Sequence, residues 1–145
     1  LVIIIMCNHC PYVHAVDDRL IQLQDKFAER NVQLIGINPN DGIKYPDDNF
    51  ENMVKRAKEK GYNFPYLRDE DQAVAKKYKA QCTPDIYVYN RERELCYHGQ
   101  IDDNWQHPEK VTSHDLSDAI EALLGGNKPS SDQYPSMGCS IKWKE

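Results

Sequence analysis

The sequence predicts an α/β domain built on a mixed central β-sheet flanked by helices on both faces. Three observations carry this expectation. Short apolar runs rich in β-branched residues alternate with stretches whose apolar residues recur every three or four positions, the order of a partly parallel sheet. Two later runs are separated only by a short polar turn, which adds an antiparallel hairpin. With 145 residues, 40% of them hydrophobic and 28% charged, the chain is long enough to bury one core.

Each element has its own signal. Leu1 to Met6 is a continuous apolar run, the pattern of a strand covered on both faces. From Pro11 onward Val13, Val16, Leu20, Leu23 and Phe27 put one apolar stripe on a helix. Proline suits the first turn of that helix, because its missing N–H has no partner to lose there. Asn31 to Asn38 reads as a second buried strand, and a loop rich in proline, glycine and aspartate follows. Phe50, Met53, Val54 and Ala57 mark a helix ending near Gly61. The stretch FPYL reads as a short strand, and Asp69 to Tyr78 as a helix turning Ala73, Val74 and Tyr78 inward. Pro84 to Asn90 and Glu94 to Ile101 flank the turn at Arg91 to Arg93 as a hairpin. Leu116, Ala119, Ile120, Leu123 and Leu124 give a last helix, ended by Gly125 and Gly126. Residues 1–126 thus make the domain and 127–145 an extended tail. Because the chain opens inside what reads as a central strand, a segment upstream of Leu1 is expected to belong to the fold.

Composition excludes some functions. A net charge of -5 without a block of lysines or arginines argues against a nucleic-acid surface. The longest apolar run, Leu1 to Met6, falls far short of the roughly 20 residues needed to span a membrane. Five cysteines are too few for a disulfide-stapled scaffold, and their odd number leaves at least one thiol free or paired outside the chain.

The chemistry is concentrated in Cys7-Asn8-His9-Cys10, where a strand hands over to a helix. A helix N-terminus lowers a thiol's pKa, and two intervening residues let two sulfurs close a small disulfide ring. Such a pair exchanges two electrons by thiol–disulfide exchange. Cys7, which precedes the helix, is expected to be the more exposed and the nucleophile; Cys10 is expected to resolve. An imidazole at His9 beside the sulfurs would stabilise the thiolate, unless His9 is simply a solvated loop residue. Half of a metal site is the main rival, but zinc normally needs four ligands and no second paired motif is present. Two inert structural thiols are the third reading. Neither a metal nor an organic cofactor is expected.

CNHC at a strand-to-helix junction, with CTPDIYVYN some 70 residues later, resembles the thioredoxin fold. CNHCPYV, YPDDNFENM, GYNFPYLRDEDQAVAKKY, CTPD, GQIDDNW and GCSIKW together resemble the peroxiredoxin-related proteins of the alkyl-hydroperoxide-reductase/thiol-specific-antioxidant group. The resemblance implies a thioredoxin-like fold in which Pro84 is a cis proline facing the dithiol, with Thr83, Pro84 and His9 shaping a substrate groove. Met6 stands where thioredoxins carry tryptophan, and Ile4 stands three residues before Cys7, where peroxiredoxins carry threonine.

Cys82, two residues before Pro84, is either an inert buried thiol or an accessory redox thiol pairing with Cys139 on the tail. Cys96, on a strand, is expected to be a small core residue. Asp102, Asp103, Asn104, Trp105 and His107 form either a ligand or dimer contact, or a loop capped by its own side chains with Trp105 over the core edge. The expected function is thiol–disulfide oxidoreduction on protein or small-molecule disulfides, served by a redox partner protein, in the cytoplasm, without nucleic acid or membrane. A thiol peroxidase and a metal-binding module using the cysteine pair are the alternatives.

Overall fold

A computed structural model describes residues 1–145. In chain order the elements are β1 (Val2–Ile5), α1 (Pro11–Phe27), β2 (Leu34–Asn38), α2 (Phe50–Lys60), β3 (Tyr66–Arg68), α3 (Ala73–Tyr78), β4 (Cys82–Thr83), β5 (Asp85–Tyr89), β6 (Leu95–Gly99), α4 (Asp115–Leu124) and β7 (Cys139–Ser140). The main sheet runs β3-β2-β1-β5-β6. β1 pairs in parallel with β2, and β2 with β3, whereas β5 is antiparallel to both β1 and β6. The sheet is therefore mixed, as the alternation followed by a hairpin requires.

β1 explains why its sequence shows no alternation: all four of its side chains are buried. Val2, Ile4 and Met6 pack with Val13, Val16 and Leu20 of α1 and with Leu116, Ala119 and Ile120 of α4. Ile3 and Ile5 face the other way, onto Ile37, Tyr87, Ala80 and Ile141. Burying side chains such as Leu20 contributes about 1.5–3 kcal/mol each. No helix is long and apolar enough to cross a membrane.

Several expectations are corrected. α3 begins at Ala73, not at Asp69, because Gln72 adopts a left-handed φ of 63°. The Asp69 carboxylate accepts from the Val74 and Ala75 N–H groups and caps the helix from outside it. The later start rotates the buried face, so Ala75 points inward while Ala73 and Val74 do not. On α2 only Met53 is fully buried; Phe50 and Val54 are exposed. Cys96 lies outside the core, half-buried on the edge strand β6, whose inward positions are taken by Tyr97 and Gly99.

The loop after β6 is tied to α1. The Arg19 guanidinium donates to both oxygens of Asp102 at 2.9 and 3.0 Å and to the carbonyls of Asn104 and Trp105. The Trp105 ring rests on Tyr12, centroids 4.2 Å apart. Nothing in the sequence pattern announces the second sheet, a ribbon of two-residue strands in which tail strand β7 pairs antiparallel with β4.

Candidate active site

β1 stops at Ile5, yet the Met6 N–H still donates to the Ile37 carbonyl at 2.9 Å, so the chain leaves the sheet only at Cys7. Cys10 is the N-cap of α1, Pro11 occupies the first turn, and the His14 N–H donates to the Cys10 carbonyl at 2.9 Å. Between the cysteines, the loop is held by one buried carboxylate. Asp48 accepts from the Asn8 N–H at 2.6 Å and from the side-chain amides of Asn38 and Asn40 at 3.3 and 3.0 Å. Tyr66 Oη donates to the Asn8 side-chain oxygen at 2.8 Å. A carboxylate taken out of water needs such donors, and here they fix the loop in return.

Thr83 closes the site from the other side of the fold. Its peptide bond to Pro84 is cis. Thr83 Oγ1 lies 3.3 Å from Cys7 Sγ, and the Thr83 carbonyl lies 3.4 Å from Cys10 Sγ. That carbonyl accepts from the sulfur only while Cys10 is protonated. A third sulfur completes the group: Cys139 Sγ stands 2.8 Å from Cys10 Sγ.

One expectation about the cysteines is corrected. Cys7 is not the more exposed thiol; both it and Cys10 are 1% exposed. Within the Cys7–Cys10 pair, the direction of the shifts favours charge on Cys10 over Cys7. Hydrogen bonding with the Cys7 thiol, the Cys139 thiol and the Val13 N–H lowers Cys10 to about 4, against its burial. Cys7 is pushed up, first by its hydrogen bond to Cys10, then by burial and by the Asp48 charge. Cys139 is raised to about 11 by burial and by its bond to Cys10.

His9 does not approach the sulfurs. Its side chain is 74% exposed and faces Asp47 at 3.8 Å. Cys82 is not brought to Cys139 either. In the β4–β7 register Thr83 stands opposite Cys139 and Cys82 opposite Ser140, so the two thiols fall on opposite faces of the ribbon. Cys82 turns toward the Pro84 carbonyl and is raised to about 11 by burial and the nearby Asp85 charge. No group of three or more His, Cys, Asp or Glu side chains is arranged to hold a metal ion. Asn8, Asp48, Tyr66 and Gly138 escaped the sequence reading. Only Asn8 carried a signal, its place inside the cysteine motif.

Beside Pro84 lies a small cavity of about 80 Å³, between Val16, Ile101, Trp105 and Met137. Small-molecule sites are usually several times larger, roughly 300 Å³ and above.

The sequence profile of the AhpC/TSA family matches residues 1–98, a span that holds the dithiol, Asp48, Thr83 and Pro84. The chain belongs to the AhpC/TSA family. Among solved structures, an uncharacterized conserved protein from Geobacillus kaustophilus is 46% identical, with a TM-score of 0.92, covering 99% of this chain and 76% of that one. A hypothetical protein from Sinorhizobium meliloti is 40% identical, with a TM-score of 0.93, covering 99% and 79%. A thioredoxin-like protein solved in its oxidized form is 16% identical, with a TM-score of 0.69, covering 88% and 78%, and shows the shared fold. None of the curated proteins matches. This AhpC/TSA chain thus has a thioredoxin-like fold and a family tie to redox chemistry.

Proposed function

We propose that the protein is a thiol–disulfide oxidoreductase whose redox couple is Cys7 and Cys10, with Cys10 attacking and Cys7 resolving. One observation carries this reading: both sulfurs gather against Thr83 at the head of α1, Cys7 Sγ 3.3 Å from its Oγ1 and Cys10 Sγ 3.4 Å from its carbonyl, with the shifts of the pair favouring a Cys10 thiolate. The Cys10 thiolate attacks one sulfur of a substrate disulfide, and the departing half leaves as a thiolate that takes up a proton. Cys7 then attacks Cys10, and its proton passes to the departing sulfur. The second half leaves as a thiol, and Cys7 and Cys10 are joined. Two electrons and two protons pass to the substrate, and the same steps reversed oxidise a substrate dithiol. Protein or small-molecule disulfides are the substrate class. An extended segment pairs with the Thr83 edge by strand addition, and a redox partner protein resets the couple.

Reduction of insulin disulfides tests the reading. Cys10→Ser abolishes turnover, while Cys7→Ser stops after the first step and accumulates a mixed disulfide. A Cys10→Ser protein that keeps the wild-type rate refutes the proposal. Peroxide reduction is the second reading, favoured by AhpC/TSA membership and by the Cys10 thiolate. Reductant-dependent consumption of hydrogen peroxide, lost in Cys10→Ser, supports it.

A further inference from the structure

Three sulfurs meet at this site, and the third arrives on the tail. Cys139 is placed by backbone pairing, opposite Thr83 in the β4–β7 ribbon. The tail is anchored on both sides of it. Upstream, the Tyr134 carbonyl accepts from the Gln100 N–H at 2.9 Å, and Ser136 Oγ donates to the Gly99 carbonyl at 2.7 Å. Downstream, Ile141 is buried in the second core cluster, and its N–H donates to the Gln81 carbonyl at 3.1 Å. Lys142 is fixed by the Asn40 side chain and the Asp41 N–H. Gly138 shows how close the approach is: a Cβ there would lie 2.3 Å from the Thr83 carbonyl oxygen. The tail therefore lies along the edge that an extended substrate would use, with a thiol 2.8 Å from Cys10 Sγ.

We propose that Cys139 is a third redox thiol of this site, forming a disulfide with Cys10 that makes the C-terminal strand the couple's own intramolecular substrate. The inference rests on the reading of Cys7 and Cys10 as a redox couple. With a small disulfide RSSR as oxidant, the Cys10 thiolate breaks the S–S bond, forms Cys10–S–SR and releases one RSH after protonation. Cys139 loses its proton and attacks the Cys10 sulfur, and the second RSH leaves. RSSR is reduced to two thiols, and Cys10 and Cys139 are joined. Cys7 can then attack the same sulfur, forming Cys7–Cys10 and returning Cys139 to the thiol. Cys10 is the shared sulfur of two alternating disulfides. The tail is locked over the Thr83 edge in one of them and free to leave it in the other.

The test is to equilibrate the full chain carrying Cys7→Ser with oxidised glutathione, digest it with trypsin without reduction, and identify linked peptides by mass spectrometry. The expected product links the Cys10 peptide, which ends at Arg19, to the Cys139 peptide. Adding Cys139→Ser removes the link and leaves glutathione on Cys10. Glutathione on Cys10 with no link in the Cys7→Ser protein overturns the inference, as does a link from Cys139 to the Cys82 peptide. Either result leaves the redox couple standing, provided the wild type still forms Cys7–Cys10 and reduces insulin. Loss of both in the wild type refutes the underlying reading, and the inference with it. Should Cys7→Ser fail to fold, the wild type at graded glutathione ratios decides. The Cys10–Cys139 peptide appears there and falls about tenfold in Gly138→Ala, because the added methyl group pushes the strand away. Its absence from the wild type at every ratio overturns the proposal.

Discussion

The β1–α1 junction and the C-terminal strand bring cysteines to one point by opposite means. At the junction, Met6, Cys7 and Cys10 are at most 1% exposed and continuous with the main core. The tail reaches the same point from 129 residues away. It is held there by a ribbon of two-residue strands, by scattered side-chain and backbone hydrogen bonds, and by Ile141. A two-stranded ribbon is marginal by itself, and burying Ile141 contributes only about 1.5–3 kcal/mol. We expect one half of the site to be rigid and the other exchangeable, since the first lies in the main core and the second is held by few buried contacts.

Substitutions on the two sides should separate these properties. The largest effect belongs to the rigid half: Cys10→Ser lowers disulfide reduction by on the order of 10³-fold or more, since the nucleophile itself is removed. A steady-state insulin assay reads this, and a residual rate near wild type would move the chemistry elsewhere.

Next comes the exchangeable half. Gly138→Ala costs about 1–3 kcal/mol of tail docking through overlap with the Thr83 carbonyl. Alkylation of Cys10 by iodoacetamide then speeds up about tenfold while the melting temperature of the main domain stays near wild type. An unchanged alkylation rate would mean that the tail does not shield Cys10.

The pH dependence joins the two halves. Ultraviolet thiolate absorbance of the reduced protein should show Cys10 titrating near about 4. Its folded pKa lies below the unfolded value of 9.0, so the stability it adds is complete above that value. This contribution is lost as pH falls toward about 4. Cys139→Ala removes one donor from the sulfur and moves the midpoint upward; a midpoint that stays put would show that the tail thiol does not hold the Cys10 charge. The smallest effect is expected at His9. Its side chain faces Asp47 in solvent, and His9→Ala should leave the exchange rate within about twofold. A larger change would return the imidazole to the sulfurs.

Legibility in the sequence followed the range of the interactions. β1 and α1 were readable because an unbroken apolar run and a three-to-four spacing are local patterns. The start of α3 was misplaced because the left-handed turn at Gln72 and the cap from Asp69 leave no mark in hydrophobic periodicity. Asp48 was one of two adjacent aspartates in a polar loop. Only the folded chain shows which of them turns inward to gather Asn8, Asn38 and Asn40.

By itself the sequence determined an α/β chain with two cysteines where a strand meets a helix, because neighbouring residues set secondary structure and the thiol spacing. Tertiary structure alone decided that hydrogen bonding favours charge on Cys10, that His9 stands aside and that Cys139, not Cys82, lies beside Cys10. Each of these depends on hydrogen bonds and strand register between segments far apart in the chain, which no local spacing encodes.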